Sequence, residues 1–154
     1  MTQSKTTLRT TRRSLPIALL RAREVVMAPI RDMLGASGVN EQKWRVLRVL
    51  HELGPLDLSQ LATEACLLQS SLTRMILPLE DEGLVTRHTP PKDRRKTVLG
   101  ITETGIALIQ RHSAQSAAIF ARIDAEFGAE RVEQLLDLLE DLQRLDLRQD
   151  SAAP

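Results

Sequence analysis

The chain has 154 residues and a formal net charge of +1, with 42% hydrophobic and 27% charged residues. This length and composition are typical of one globular chain, and the near-neutral charge excludes a polycation that binds nucleic acid through its total charge. A single cysteine excludes an intramolecular disulfide, and no apolar run approaches the ~20 residues that span a bilayer, so we expect a cytoplasmic protein.

The N-terminal segment is basic and precedes the first predicted helix. Residues 1–23 hold six Lys or Arg and no acid, and we expect residues 1–13 to form a disordered basic tail. Ser14 is predicted to cap a helix that runs to about Leu34. Pro29 lies inside this helix and is expected to kink it.

The second predicted helix, Glu41–Leu53, begins after an Asn40 cap and ends at Gly54. Its apolar stripe is predicted to be buried and consists of Val46, Leu47, Leu50 and Leu53. A short helix over Asp57–Ala65 follows, and a tight turn at Cys66–Leu68 separates it from the next helix. We expect the Cys66 side chain to be a small buried hydrophobe rather than a redox sensor.

The next predicted helix, Gln69–Glu82, has one apolar and one polar side. Its apolar stripe follows the i, i+3, i+4, i+7 spacing at Leu72, Met75, Ile76 and Leu79. Gln69 or Ser70 is expected to cap it and Gly83 to end it. Pro78 removes the hydrogen bond to the Arg74 carbonyl and is expected to bend the helix. Small polar side chains and an arginine suit entry into a DNA major groove, and the candidates are Gln69, Ser70, Ser71, Thr73 and Arg74.

Two strands joined by a basic loop are predicted after this helix, over Leu84–His88 and Thr97–Ile101. Pro90 and Pro91 have no N–H to donate, which places the hairpin at a sheet edge. The loop holds one acid, Asp93, and four cations, Lys92, Arg94, Arg95 and Lys96. Taken alone, such a charge run fits a solvated turn as well as it fits a DNA-binding loop. The two preceding helices favour the loop as the wing of a helix-turn-helix.

The C-terminal third is predicted to be helical. Thr102 caps a long helix that runs to about Phe127 and ends at Gly128, and the last helix covers Ala129–Leu147. This last helix carries an apolar stripe of Val132, Leu135, Leu136, Leu139, Leu142 and Leu145. We expect a dimer seam built from both chain ends, with packing on the same chain as the alternative. The predicted fold is mainly α with a small β-wing: a winged helix-turn-helix at 40–102, flanked by dimerisation helices at 14–36 and 103–148.

At these residues the chain resembles the MarR family of bacterial transcriptional regulators. The likeness runs from about Leu61 to Gly105 and is carried by Ser71-Leu72-Thr73-Arg74, Leu79–Val85, Asp93-Arg94-Arg95, Ile101-Thr102 and Gly105. Two further stretches, Ala18–Glu24 and Gln42–Arg45, are similar to the branch that regulates homoprotocatechuate (aromatic acid) degradation operons.

The resemblance implies a homodimer on a near-palindromic double-stranded DNA operator. The predicted helix Gln69–Glu82 is then the recognition helix, which enters the major groove. The resemblance places Arg95 in the adjacent minor groove, where a narrow groove attracts arginine. We expect Asp93 to hold the Arg95 guanidinium by a charged hydrogen bond. The remaining loop cations, Lys92, Arg94 and Lys96, are then expected to contact phosphates.

A small-molecule site is predicted on the second helix. Trp44, Arg48 and His51 share one of its sides at i, i+4 and i+7, and the resemblance places Arg23 of the first helix alongside. An arginine beside an aromatic wall suits the carboxylate and ring of a small phenolic acid, the expected effector. The alternative is that Trp44 belongs to the core and the arginines to the surface.

Catalytic and metal chemistry find no support in the sequence. It has no phosphate-cradling glycine loop, nucleophile elbow or zinc-ligand spacing, and His51, His88 and His112 are far apart. With no Tyr, two Phe and one Trp, it also lacks a platform for stacking single-stranded nucleic acid. We therefore expect no catalytic residue, metal or cofactor, and a DNA-binding repressor relieved by an aromatic acid. The alternative is a winged-helix protein-interaction module without DNA specificity.

Overall fold

The computed structural model describes residues 8–148, which form two compact units divided between Ala114 and Gln115. The helices are α1 (Leu15–Gly35), α2 (Glu41–Leu53), α3 (Leu58–Glu64), α4 (Gln69–Asp81), α5 (Glu103–Ile123) and α6 (Ala129–Gln143). The strands are β1 (Leu56–Asp57), β2 (Val85–His88) and β3 (Val98–Ile101). This architecture confirms the mainly α fold with a small β-wing. Residues 1–7 of the predicted tail lie outside the described residues, and Thr11–Arg13, predicted to be disordered, form a 3-10 turn.

The core of the first unit forms where α2, α3, α4 and the start of α5 meet the sheet. Its fully buried side chains include Val46, Leu47, Leu50, Leu72 and Leu79 of the predicted apolar stripes, together with Leu61 and Leu99. Leu53 was predicted to join them but is 50% exposed. It lies in the last turn of α2, where Gly54 with φ 79° redirects the chain.

Side-chain caps fix the starts of α2 and α3. Asn40 Oδ1 accepts a hydrogen bond from the Lys43 backbone N–H at 2.8 Å, as predicted. Asp57 Oδ1 accepts from the Gln60 backbone N–H at 2.8 Å, and Gln60 Oε1 accepts from the Asp57 N–H at 3.4 Å, which completes a capping box. At α1 the predicted cap is wrong: Ser14 occupies the N-cap position, but only its backbone carbonyl bonds the helix.

The sheet has the strand order β1-β3-β2 and is antiparallel throughout. Leu56 of β1 pairs with Leu99, and Val85 of β2 pairs with Ile101. Among the described strands β2 pairs only with β3 and is therefore an edge strand, as the prolines after it predict, whereas β3 is the central strand. Strand β1 was not predicted, since two residues are too few to show an alternating pattern.

Thr102 joins the β-hairpin to α5. Its hydroxyl donates to the Gly83 carbonyl oxygen at 2.6 Å and accepts from the Gly105 N–H at 3.1 Å, so the predicted cap is present. The Thr102 N–H donates to the Leu84 carbonyl oxygen at 3.1 Å. A Cβ on Gly105 would lie 2.5 Å from that same oxygen, so the close approach of α5 to the hairpin requires glycine.

The second unit contains the C-terminal part of α5, a π-helical turn at Asp124–Gly128, and α6. The predicted break at Gly128 is present, with φ 104°, but the turn before it is π-helical rather than α-helical. Helix α6 ends at Gln143 instead of Leu147. Beyond it, Asp146 Oδ1 accepts from the Arg148 N–H at 3.1 Å, a local bond that competes with helix continuation.

Candidate nucleic-acid interface and effector cleft

Cys66 forms the corner between α3 and α4. Its φ of 51° is the left-handed conformation, which few residues other than glycine adopt. The Cys66 side chain is exposed, so the prediction that it is buried is wrong. The left-handed turn directs it outward, and Ala62 and Ala65 fill the adjacent part of the core instead.

Helix α4 exposes the side that the sequence predicts to face DNA. Ser71 is half-buried, and the exposed members of this side are Gln69, Ser70, Thr73 and Arg74. The Thr73 hydroxyl donates to the Gln69 carbonyl oxygen at 2.8 Å, so only its methyl group and its lone pairs remain for another contact. No carboxylate of residues 8–148 lies within ion-pair distance of Arg74. Its guanidinium is therefore available to a ligand.

The two ends of α4 are held differently. The prediction that Gln69 or Ser70 caps the helix is wrong, because both residues already lie in its first turn and Leu68 occupies the N-cap position. At the other end the helix continues through Pro78 to Asp81. Lys43 of α2 forms an ion pair with Glu82 just beyond that end. The C-terminal end is thus tied to the core, while the N-terminal end has no side-chain cap.

The β2–β3 loop exposes all four of its predicted cations, Lys92, Arg94, Arg95 and Lys96. Asp93 Oδ1 accepts a hydrogen bond from the backbone N–H of Arg95 at 3.1 Å, not from its guanidinium as expected. A side chain as short as aspartate reaches the backbone two residues on more readily than a long arginine head. Asp93 therefore shapes the loop and leaves the Arg95 guanidinium extended into solvent.

A cleft of about 290 Å³ lies between α1 and α2. Its lining residues are Arg23, Met27, Ile30, Glu41, Trp44, Arg45 and Arg48. The structure thus brings together three of the four predicted ligand residues, Arg23, Trp44 and Arg48. The fourth, His51, is exposed and does not line the cleft.

Glu41 is the residue of this cleft that the sequence reasoning missed. Its carboxylate forms an ion pair with Arg23, and its oxygens lie 3.5 Å from Arg31 Nη1 and 3.5 Å from Arg45 Nη2. Only 18% of its side chain is exposed. The one acid of the lining is therefore shared by three arginines.

His112 of α5 packs behind Trp44. Its Nε2 lies 2.6 Å from the Ser37 hydroxyl oxygen, and its ring is edge-on to Trp44 with the centroids 5.7 Å apart. His112 is 4% exposed, and its Nδ1 finds no hydrogen-bond partner among residues 8–148. His112 is a structural histidine that supports the aromatic wall of the cleft. Its position on the buried stripe after Leu108 and Ile109 is the sequence signal for this role.

Two further kinds of site are absent from the part of the chain that the structure describes. Among residues 8–148, no group of three or more His, Cys, Asp or Glu is placed to hold a metal ion. None of the helices in this range combines the length and apolar character needed to cross a bilayer.

Comparison with known proteins agrees with this geometry. Residues 39–97 match the model of the MarR family. The chain is 41% identical over 128 residues to the homoprotocatechuate degradative operon repressor of Escherichia coli, covering 83% of this chain and 86% of the relative. The structure of NadR in complex with 4-hydroxyphenylacetate is similar, with a TM-score of 0.80, 34% identity and coverage of 91% of this chain and 99% of NadR.

A DNA complex is also among the similar structures. The transcriptional repressor CouR bound to a 23-mer DNA duplex has a TM-score of 0.78 and 25% identity, covering 90% of this chain and 100% of CouR. The winged helix-turn-helix described above and these likenesses over most of the chain lead to one conclusion. The chain belongs to the MarR family of transcriptional regulators.

Proposed function

We propose that this regulator is a dimeric repressor that binds a near-palindromic duplex operator and releases it when a small aromatic carboxylate enters the α1–α2 cleft. One observation carries the proposal: the polar side of α4 and the cationic β2–β3 loop are both exposed on one unit. A winged helix-turn-helix uses these two elements on B-form DNA. The protein then acts by binding rather than by catalysis, in the bacterial cytoplasm where its operator lies.

The α4 side chains are proposed to read bases in the major groove. Arg74 donates in a bidentate manner to guanine O6 and N7, the commonest specific arginine contact. Gln69, Ser70 and Ser71 lie in the first turn, which is the part of a recognition helix that approaches base edges. Thr73 presents its methyl group, because its hydroxyl hydrogen is engaged by the Gln69 carbonyl.

The β2–β3 loop is proposed to bind the adjacent minor groove and the backbone. Arg95 enters the minor groove, where the negative potential attracts a guanidinium without requiring much base readout. The phosphate contacts come from Lys92, Arg94 and Lys96. Because each neutralised phosphate releases counterions, this part of the affinity falls as the salt concentration rises.

MarR regulators are dimers, and we propose that α1 and the C-terminal helices form the seam. On α1, the side chains of Leu15, Leu20 and Val25 are each more than half exposed. The second unit has no buried residue on α6 and exposes Leu135, Leu136, Leu138 and Leu145. Covering such side chains contributes about 25 cal/mol per Å² of apolar surface, which favours association. A two-fold pair then presents its recognition helices roughly 34 Å apart.

An aromatic acid is the proposed effector because the cleft combines cations with an aromatic wall. Arg23 and Arg48 hold the carboxylate, and Trp44 packs against the ring. Relatives support this chemical class: NadR was solved in complex with 4-hydroxyphenylacetate, and the Escherichia coli relative is named for a homoprotocatechuate operon. A volume of about 290 Å³ suits a single substituted ring.

Selection of binding sites from random duplexes tests the DNA part of the proposal. We expect enrichment of an inverted repeat whose half-sites lie about one helical turn apart. Sedimentation of the complex should give two chains per duplex. If no duplex is enriched, the proposed DNA recognition is wrong and a protein-interaction module becomes the better interpretation.

Titration of the operator complex tests the effector. We expect 4-hydroxyphenylacetate and 3,4-dihydroxyphenylacetate to release DNA, and 4-ethylphenol, which lacks a carboxylate, to have no effect. Arg48→Ala should keep the operator affinity but respond only at much higher acid concentration. If neither acid changes operator binding or Trp44 fluorescence, the cleft is not the site of an aromatic acid effector.

A further inference from the structure

Leu68 has an unusual environment for a large apolar residue. It is 74% exposed, the largest value among the exposed large hydrophobics between residues 39 and 102, where Leu77 and Leu53 follow at 61% and 50%. Its neighbour Leu67 packs against the core, so two adjacent leucines differ in environment. Leu68 lies directly before Gln69, at the start of the recognition helix. We infer that Leu68 contacts the 5-methyl group of a thymine in the operator and is a specificity-determining residue.

Helix energetics do not favour leucine at this position. Ser, Thr, Asp and Asn are the preferred N-cap residues because their side chains accept a backbone N–H, and leucine is among the least favoured. In the same unit, α2 and α3 follow this rule with Asn40 and Asp57. Helix α4 departs from it, and its N-cap side chain makes no hydrogen bond. A contact outside the chain accounts for a leucine that serves neither the cap nor the core.

The backbone holds Leu68 firmly in place. Its carbonyl oxygen accepts from the Leu72 N–H at 3.1 Å, the first bond of α4, and the preceding Leu67 N–H donates to the Ala62 carbonyl at 2.9 Å. An exposed side chain on a fixed backbone loses little freedom on binding, which suits a contact that must be made at one position.

Thymine is the base that matches this side chain. Its methyl group is the only apolar group that a base pair presents in the major groove, and apolar side chains recognise it by contact. The polar residues of the first turn cannot remove that methyl group from water favourably. The inference rests on the proposed DNA binding by α4 and adds one base preference to it.

Replacing thymine by uracil removes only the methyl group and therefore tests the contact directly. In the operator obtained by selection, each dT is changed in turn to dU, and affinity is measured by fluorescence anisotropy. We expect the affinity of the wild-type protein to fall about fourfold when dU replaces dT at one position per half-site. This is the factor expected for burying one methyl-sized group. Leu68→Ala should bind the dT and dU duplexes equally at that position.

Two more variants distinguish the loss of the thymine contact from a change in helix stability and from the loss of any exposed leucine. Leu68→Asn supplies a side-chain cap, so it should raise the unfolding temperature and yet be insensitive to the methyl group. Leu53→Ala removes an exposed leucine at the end of α2 and should keep the wild-type preference for dT.

The outcomes distinguish the inference from the proposed function. If the wild-type protein and Leu68→Ala respond equally to every dU, Leu68 does not recognise thymine, although DNA binding stands. If Leu68→Ala weakens binding to the dT and dU duplexes by one common factor, Leu68 contacts a sugar and does not recognise the thymine methyl group. If the wild-type protein enriches no duplex, the DNA-binding proposal fails and the inference fails with it.

Discussion

Arg45 Nη1 donates to the carbonyl oxygen of Cys66 at 3.4 Å, so a residue that lines the cleft also contacts the corner before the recognition helix. The same guanidinium places Nη2 at 3.5 Å from Glu41, which pairs with Arg23 across the cleft. A ligand that changes the pairing of Glu41 therefore changes the forces on Arg45. We therefore expect this chain of contacts to couple the proposed effector site to the proposed DNA-binding helix.

Arg45→Ala should uncouple the two ligands. Allosteric coupling is commonly about 1–3 kcal/mol, and we expect this variant to lose most of it because the contact with the Cys66 carbonyl is gone. The measurement is the operator Kd with and without saturating 4-hydroxyphenylacetate, and the effector Kd with and without operator. The two ratios must agree, since coupling is reciprocal.

Arg111→Ala is the control for this prediction, because it removes an exposed arginine of α5 that does not line the cleft. It should couple the ligands as the wild-type protein does. Wild-type coupling in Arg45→Ala would contradict the route through Cys66.

Glu41→Gln should bind the effector more tightly. The Glu41 carboxylate competes with a ligand carboxylate for Arg23, and glutamine removes the competing charge while keeping the shape. For a partly exposed ion pair of ~1 kcal/mol, the expected gain is about fivefold in Kd, measured by calorimetry. Glu24→Gln, whose carboxylate pairs with Arg31 outside the cleft lining, should change little. Weaker binding by Glu41→Gln would instead mean that Glu41 accepts a hydrogen bond from the ligand.

Arg74→Ala and Arg95→Ala should affect DNA binding in different ways. Loss of the Arg74 contact should cost about 1–3 kcal/mol at one base pair and relax the preference there. Loss of Arg95 should weaken binding with little change in the selected sequence, as expected for minor-groove attraction. As a comparison, Lys92→Ala should reduce the slope of affinity against salt by about 1. Repeated site selection measures the base preferences, and salt titration measures the affinities and the slope. If both arginine variants bind the operator like the wild-type protein, the groove assignment is wrong.

Gly105→Ala should destabilise the first unit by about 1–3 kcal/mol, the range for forcing an extra carbon into a packed site. Its Cβ would lie 2.5 Å from the Leu84 carbonyl oxygen and 2.6 Å from Ile101 Cγ1. Gly35→Ala, at the end of α1, has no atom within 4 Å of the added carbon and should be neutral or stabilising. Thermal unfolding of both variants provides the measurement, and equal stability would show that α5 shifts to accept the methyl group.

Features with a local cause were predictable from the sequence. The Asn40 cap and the Thr102 cap bond backbone N–H groups three residues ahead, so residue type and spacing suffice to predict them. The family and the fold class followed from the run between Leu61 and Gly105 and are confirmed. The same local rules misled at Gln69, because they assume that a polar residue begins the helix, whereas Leu68 does.

Features that depend on distant partners were not predictable. Glu41 looked like an ordinary first-turn acid, and its role in the cleft appears only when α1 brings Arg23 and Arg31 beside it. Ser37 and His112 are likewise brought together by folding across most of the first unit. Cys66 was misplaced because a left-handed backbone in a non-glycine residue has no clear sequence signal. The assignments of single residues to bases, phosphates and effector stay predictions.

The double use of Thr102 has a mechanical consequence. Its hydroxyl and its N–H bond Gly83 and Leu84, in the short segment between α4 and β2, and the same hydroxyl caps α5. Gly105 also lies close to the Leu84 carbonyl oxygen. The recognition helix, the hairpin and the start of α5 are therefore joined by hydrogen bonds and close packing. We therefore expect α4, the hairpin and the start of α5 to move together, and amide hydrogen exchange at Leu84 and Thr102 to stay equally slow with and without effector.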